Sequence, residues 1–121
     1  MDKNDLVQTI AGILYEKKAQ NIVALDVTGM TVITDCMVIA SGRNALQVKG
    51  LADEVEDRLA AKGLEPARKE GQQEGRWIVL DYQTVLVHIF HNEERDFYRL
   101  EKLWEGENNR IALPFDASDE D

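Results

Sequence analysis

The sequence predicts an α/β domain in which a mixed β-sheet is flanked by helices. Segments with apolar residues at helical spacing alternate with short apolar runs of strand length, in the order α-β-β-α-β-β-α. The chain has 121 residues, of which 44% are apolar, and this suffices for one domain around a single core. No internal repeat, linker or second domain is visible in the sequence.

The N-terminal half contains two helices on either side of two strands. Residues 5–18 are predicted to be helical because apolar residues recur every three or four positions, and Asn4 or Asp5 can cap the first turn. Residues 21–27 and 36–40 contain continuous apolar runs, which are typical of strands buried on both faces. Asn44 opens the longest predicted helix, which extends to about residue 62 before Gly63.

The C-terminal half contains a hairpin and a final helix. The polar residues 65–76 predict a loop, with room for a short edge strand at residues 67–70. Strands are predicted at residues 77–82 and 85–90, and the two residues between them suggest an antiparallel hairpin, although Gln83-Thr84 is an unusual turn pair. Asn92 is the candidate cap of a single helix that runs to residue 104.

The last helix is followed by an acidic segment. We expect residues 1–106 to form the domain and residues 107–121 to form a mobile tail, apart from a local contact through residues 111–115. The acidic residues of this tail are Glu107, Asp116, Asp119, Glu120 and Asp121.

Charge and composition restrict the classes of partner. The net charge is −9, which argues against direct nucleic-acid binding because such binding needs clustered Lys and Arg; a basic protein partner suits this charge. No segment approaches the length of a membrane helix, and the N-terminus has no secretory signal pattern. The single cysteine, Cys36, lies in an apolar run and is expected to be a buried, inert thiol. We therefore expect a soluble, cytoplasmic protein.

The sequence contains no recognisable catalytic motif. His88 and His91 are three residues apart and point to opposite faces of a strand, so we predict no metal site and no cofactor. Ser41-Gly42-Arg43 lies between a strand and a helix, where a helix N-terminus can accept an anion, but a tight turn that needs glycine is the simpler interpretation.

The strand-Ser-Gly-helix layout is similar to that of nucleotidyltransferases. Those enzymes hold metal ions with a pair of carboxylates, whereas this chain has no Asp-x-Asp, and Asp26, Asp35 and Asp81 are single. We therefore expect nucleotidyltransferase-like topology without the catalytic carboxylate pair. Two alternatives stay open: a nucleotide-binding enzyme that uses Ser41, Asp26 and Asp81, and an adaptor that recruits a partner through its acidic tail.

The chain resembles the ribosomal silencing factor (Iojap-related) family over nearly all of residues 5–105. The matching segments are KAQNIVALDV (18–27), TDCMVIASG (34–42), EGQQEGRWIVLDY (70–82), VLVHIF (85–90) and RDFYRLEKLW (95–104). The family usually has glycine after the Asp-Tyr pair, where this chain has Gln83. The departure concerns the shape of the turn.

The resemblance implies a non-catalytic repressor of translation. Members of the family bind the protein numbered fourteen in the large-subunit series, at the subunit interface, and block the joining of the small subunit. The resemblance also implies that members self-associate and that their fold is similar to nucleotidyltransferases. On this reading the partner is the large ribosomal subunit.

The candidate partner-binding residues lie on the hairpin and the last helix, where aromatic side chains stand beside charged ones. Tyr82 and Tyr98 are expected to be accessible, whereas core packing is the alternative for Trp77 and Trp104. The predicted contact residues are Trp77, Asp81, Tyr82, His88, Tyr98, Glu101 and Lys102.

Overall fold

A computed structural model describes residues 1–116 and confirms the predicted element order with two additions. The short edge strand is present, and the last helix is divided in two. The elements are α1 (Lys3–Glu16), β1 (Gln20–Asp26), β2 (Cys36–Gly42), α2 (Ala45–Ala60), β3 (Arg68–Glu70), β4 (Trp77–Asp81), β5 (Val85–His91), α3 (Asn92–Tyr98) and α4 (Leu100–Trp104).

The five strands form one mixed sheet in the order β1-β2-β5-β4-β3. β2 and β5 are parallel, with Val38 opposite Val87, and the other neighbouring strands are antiparallel. The predicted β4–β5 hairpin is confirmed, with Ile78 opposite Ile89. The α/β class with a mixed sheet and flanking helices is therefore correct.

The two faces of the sheet are covered to different extents. On the first face, α1 and α2 enclose the larger core, which includes Val38, Leu80 and Val87. The second face carries a smaller cluster, which contains Val23, Leu25, Val27, Met37, Ile39 and Phe90. Leu100 and Trp104 of α4 pack against this second cluster. Trp77, Val79 and Leu86 on the same face remain partly exposed.

The first helix begins earlier than the sequence predicted. Asp2 is its cap, because Asp2 Oδ1 accepts a 2.8 Å hydrogen bond from the backbone N–H of Asp5, so the expectation of Asn4 or Asp5 as the cap was wrong. The predicted cap of α2 is confirmed, since Asn44 Oδ1 accepts from the N–H of Gln47 at 2.8 Å.

The single helix predicted for residues 92–104 is interrupted at Arg99, which has a left-handed backbone with φ 48°. His91 caps α3, and Asn92, the predicted cap, instead donates its side-chain N–H to Gln20 Oε1. A single helical stripe does not continue through such a break. Phe97 is consequently 78% exposed.

The chain after α4 extends the sheet edge. The backbone N–H of Asp26 donates to Asn109 O, and that of Ile111 donates to Ala24 O, so residues 109–111 pair along the free edge of β1. Leu113 and Phe115 are then buried in the larger core. The contact predicted for residues 111–115 is confirmed and begins at residue 109, so packing continues past the boundary predicted at residue 106. The predicted tail residues Asp119, Glu120 and Asp121 lie outside the described part of the chain.

The β4–β5 turn accommodates the unusual Gln83-Thr84 pair with a left-handed residue and a side-chain hydrogen bond. Gln83 has φ 74°, in the left-handed region that glycine adopts most easily. Its backbone N–H donates to Asp81 Oδ1 at 2.8 Å, and this bond holds the turn. A non-glycine residue is thus present in a conformation that suits glycine.

Candidate protein-binding surface

Four aromatic rings lie together where β4 begins and β5 ends. Trp77 stacks on its cross-strand partner Phe90, with 4.8 Å between ring centroids, and contacts Tyr98 of α3 at 5.0 Å. The indole Nε1 of Trp77 donates a 3.0 Å hydrogen bond to Nδ1 of His88. Phe90 is buried, Trp77 is partly exposed and Tyr98 is 50% exposed, so the cluster runs from the core to the surface.

His88 lies on the buried side of this cluster, beneath Trp77. Burial lowers the pKa of its imidazole to about 4. The ring is therefore neutral near pH 7, and because Nδ1 accepts from Trp77, the ring proton resides on Nε2. His88, which lies between Leu86 and Phe90 on one face of β5, is thus held by a hydrogen bond within the chain. Only 6% of the surface of His88 is exposed, so this residue positions Trp77 from within the fold.

The break between α3 and α4 is held by a buried ion pair. Arg95 Nε donates to Glu101 Oε1 at 3.1 Å, and Arg95 Nη1 lies 3.4 Å from the hydroxyl oxygen of Ser41. Only 6% of the Arg95 side chain and 20% of the Glu101 side chain are exposed. The pair ties α4 to α3 across the left-handed residue, close to Tyr98. Glu101 was predicted as a partner contact, but its carboxylate is already engaged within the chain.

Tyr82 does not belong to this surface. The prediction that its side chain is accessible was wrong, because it is 8% exposed and packs in the core between the sheet and α1–α2. Adjacent residues of a strand point to opposite faces, so Asp81 and Tyr82 diverge at the end of β4. Burial raises the pKa of the Tyr82 hydroxyl well above its usual range.

Asp81 and Lys102 lie at the margins of the second face. Asp81 Oδ1 accepts from the N–H of Gln83, and Asp81 Oδ2 lies 3.8 Å from Nε of Arg68. Lys102 is exposed on α4. The structure therefore places Trp77, Tyr98, Asp81 and Lys102 where a partner has access to them, and it places His88 and Glu101 behind them.

Sequence reasoning missed an apolar loop between β1 and β2. Val32 is fully exposed and Ile33 is 64% exposed. Ile33 lines a cavity of about 220 Å³ beside β3, β4 and β5. We use the name sheet trough for the surface formed by Trp77, Val79, Asp81, Leu86 and His88, with Tyr98 and Ile33 at its two ends. The signal was present in the sequence, as Val32-Ile33 is an apolar pair between the two predicted strands, in a segment for which no element was predicted.

The residues of the enzymatic alternative are not brought together. Asp26 lies opposite Cys36 in the β1–β2 ladder, whereas Ser41 is five residues further along β2, or about 16 Å away. Asp81 is also at the far end of the sheet from Ser41, since it pairs with Leu86 while Ser41 pairs with Phe90. Among residues 1–116 no group of three or more His, Cys, Asp and Glu side chains is placed to hold a metal ion.

The start of α2 has little capacity for the anion considered above. The Ser41 hydroxyl donates to Gln20 O at 3.1 Å, and the backbone N–H of Arg43 donates to Gln47 Oε1 at 2.7 Å. Both donors are therefore satisfied within the chain, and the structure supports the interpretation of this segment as a tight strand-to-helix turn.

Cys36 is a buried free thiol, as expected, and burial raises the pKa of this thiol. No helix within the described residues has the length and apolarity needed to cross a membrane.

Comparison with known proteins gives a consistent result. The family model described as "Ribosomal silencing factor during starvation" matches residues 1–121. The chain is 36% identical to the ribosomal silencing factor of Bacillus subtilis over 104 residues, which cover 86% of this chain and 88% of the relative. It is 38% identical to that of Halalkalibacterium halodurans over 104 residues, covering 86% and 89%. A crystal structure of a Chromobacterium violaceum protein is similar with a TM-score of 0.83 and 28% identity, covering 94% of this chain and 97% of that one.

Proposed function

This chain belongs to the ribosomal silencing factor family, and we propose that it represses translation by binding the large ribosomal subunit and blocking its association with the small subunit. The contact on the ribosome is the protein numbered fourteen in the large-subunit series. The chain acts by occupying a surface rather than by catalysis, in the cytoplasm where ribosomal subunits meet. The observation that carries this proposal is the partly exposed Trp77–Tyr98 pair on the less covered face of the sheet.

The sheet trough has the composition of a protein-binding site. Trp and Tyr are enriched among the residues that dominate interface energies. Trp77 is pre-positioned by its hydrogen bond to His88 and by stacking on Phe90, so little side-chain freedom is lost on binding. Asp81 supplies a charge in the trough, and Lys102 supplies one on α4, beside β1, where they contribute to orientation and association rate.

Size and charge support the same proposal. A standard interface buries about 800 Å² of each partner, and the chain has a total accessible surface of 7101 Å². The net charge of −9 favours encounter with a basic ribosomal protein and disfavours direct contact with the phosphates of ribosomal RNA.

The test is sedimentation of the purified chain with isolated large subunits in sucrose gradients. We expect the chain to migrate with the large subunit and, in rising amounts, to reduce the ribosomes that form when small subunits are added. Absence of the chain from the large-subunit fractions would sink the proposed function.

Variants then test the surface assignment. Tyr98→Ala removes an exposed anchor, and the expected loss of affinity is about 30-fold, which corresponds to about 2 kcal/mol. Leu46→Ala is the matched control, because Leu46 is 81% exposed on α2, which packs on the other face of the sheet. Equal binding by wild type, Tyr98→Ala and Leu46→Ala, with unchanged circular dichroism, would show that the partner binds elsewhere.

We further propose that the sheet trough mediates the self-association implied by the resemblance. Trp77 and Tyr98 are then shared between the dimer contact and the ribosome contact, so the two assemblies compete. Light scattering over a range of concentrations should show a dimer that Tyr98→Ala weakens. A dimer of unchanged stability in that variant would separate the two surfaces.

A further inference from the structure

The sheet trough contains a cavity whose volume can hold a side chain of a partner. It has a volume of about 220 Å³, far more than the ~30 Å³ that one water molecule occupies. Its walls are apolar at Ile33, Val79 and Leu86. The charged residues Arg68, Glu70 and Asp81 also line it, together with His88.

His88 contributes an unused hydrogen-bond donor to this cavity. Its Nδ1 accepts from Trp77, so Nε2 carries the ring proton. Nε2 is buried and has no hydrogen-bond partner among the described residues. His88 lines the cavity and Trp77 does not. Nδ1 of the imidazole faces the indole of Trp77, and Nε2 lies on the opposite side of the ring. A buried donor without an acceptor is uncommon in folded proteins and costs free energy until an acceptor meets it.

The surroundings restrict which side chain can supply the acceptor. A carboxylate is disfavoured because Glu70 and Asp81 outnumber the one lining cation, Arg68, whose Nε already lies 3.8 Å from Asp81 Oδ2. An ammonium or guanidinium group has no acceptor for the Nε2 proton of His88. A purely apolar side chain fits the walls but leaves the donor unpaired. A hydroxyl or a carboxamide accepts from His88 and can donate its own proton to the carboxylate of Asp81 or Glu70.

We propose that this cavity is a subsite of the sheet trough that takes a neutral, oxygen-bearing side chain of the partner protein, a hydroxyl or a carboxamide. The guest's oxygen accepts from Nε2 of His88, and its carbon atoms pack on Val79 and Ile33. Which protein supplies this side chain rests on the proposed function, whereas the chemistry of the cavity rests on residues of this chain alone.

The cavity is tested first without the ribosome, by nuclear magnetic resonance of the isolated chain. Acetamide, acetate and methylammonium are small probes of similar size that are neutral, anionic and cationic. We expect acetamide in the molar range to shift the methyl signals of Val79 and Leu86 and the imidazole N–H signal of His88, with little response to the two ions. An equal response to all three probes, a preference for an ion, or no response to acetamide would overturn the proposal.

The second test fills the cavity. Val79→Phe should abolish the acetamide response and lower the affinity for isolated large subunits at least tenfold, whereas Leu46→Phe on α2 should change neither. Ile33→Trp, at an exposed loop position, is the second variant should Val79→Phe fail to fold. If the wild-type chain does not bind the large subunit, the proposed function is refuted, whereas the acetamide result still tests the chemistry of the cavity. Subunit binding that tolerates a filled cavity would refute the subsite.

Discussion

The indole N–H of Trp77 and the Nδ1 lone pair of His88 meet at 3.0 Å across the β4–β5 ladder, which joins a partly exposed aromatic residue to a buried titratable one. The bond exists only while His88 is neutral, because a protonated imidazole presents N–H groups at both nitrogens. Protonation of His88 therefore opposes both its burial and the positioning of Trp77.

Acid should destabilise the fold through His88. Its pKa is about 4 in the folded chain, below the ordinary value of 6.5, so between these values the unfolded chain binds more protons. The stability that the neutral imidazole contributes to the folded state is complete above about pH 6.5, and it is lost as the pH falls from about 6.5 through about 4. We expect the free energy of unfolding in urea to decrease by about 2 kcal/mol from this group between about pH 7 and about pH 5.

His88→Gln provides the control for this titration. Glutamine retains an acceptor for Trp77 and does not titrate, while the carboxylates titrate equally in both proteins. The difference between the two pH profiles isolates His88. Parallel profiles would mean that the imidazole is free to protonate in the folded chain.

The Arg95–Glu101 pair should be strongly coupled. Removing one partner leaves a buried charge, which typically costs 3–5 kcal/mol; since the Glu101 side chain is 20% exposed, we expect about 2–3 kcal/mol for Arg95→Ala. A double-mutant cycle of Arg95→Ala and Glu101→Ala, read by urea unfolding, should give a coupling energy above about 1 kcal/mol.

The pair formed by Arg76 and Glu94 is the matched comparison. It joins the segment before β4 to α3 at a similar distance, 3.2 Å, but 71% of the Arg76 side chain is exposed. Its coupling energy should be about 0.2–1 kcal/mol because solvent screens the charges. Equal coupling in both cycles would contradict a structural role for Arg95 at the α3–α4 break.

The segment after α4 should contribute to the stability of the domain. Leu113 is 5% exposed within the larger core, so Leu113→Ala should reduce the free energy of unfolding by about 2–3 kcal/mol. Leu103→Ala, at a 70% exposed position, should change it by less than about 0.5 kcal/mol. A Leu113→Ala variant as stable as wild type would support the boundary predicted at residue 106.

The β4–β5 turn offers a stabilising substitution. Gln83 occupies the left-handed region at φ 74°, which costs a non-glycine residue about 1 kcal/mol or more. Gln83→Gly removes this strain and keeps the backbone N–H that donates to Asp81. The relief of strain, on the order of 1 kcal/mol, is partly offset because glycine has greater conformational entropy in the unfolded chain. We therefore expect the midpoint of thermal unfolding to rise by a few degrees. Thr84→Gly, by contrast, should lower stability. A lower transition for Gln83→Gly would show that the Gln83 side chain stabilises the turn.

Local patterns were sufficient for most elements of the fold. Helical periodicity identified α1 and α2, continuous apolar runs identified β1 and β2, and the spacing of two residues identified the β4–β5 hairpin. Element ends were less accurate, because a cap depends on which side chain reaches the first free N–H groups. At α1 that residue is Asp2, outside the apolar pattern.

The side chains of the candidate site were only partly placed by sequence reasoning, and its role as a binding site stays a prediction. Trp77 and Tyr98 lie together as the two distinctive sequence blocks suggested, whereas Tyr82 is buried on the opposite face. The break at Arg99 was not foreseen, because the Arg95–Glu101 pair that accompanies it forms only when Arg95 packs over Ser41 of β2.

The sequence by itself determined the α/β class, the element order, the burial of Cys36 and the family, because these follow from neighbouring residues and from their order along the chain. Only the tertiary structure decided that His88 is a buried acceptor for Trp77 and that Glu101 is engaged by Arg95. It also decided that residues 109–115 complete the sheet edge and the core. Each of these depends on which strand lies beside which, and hydrogen bonds and ion pairs between distant segments are set by that three-dimensional packing rather than by local spacing.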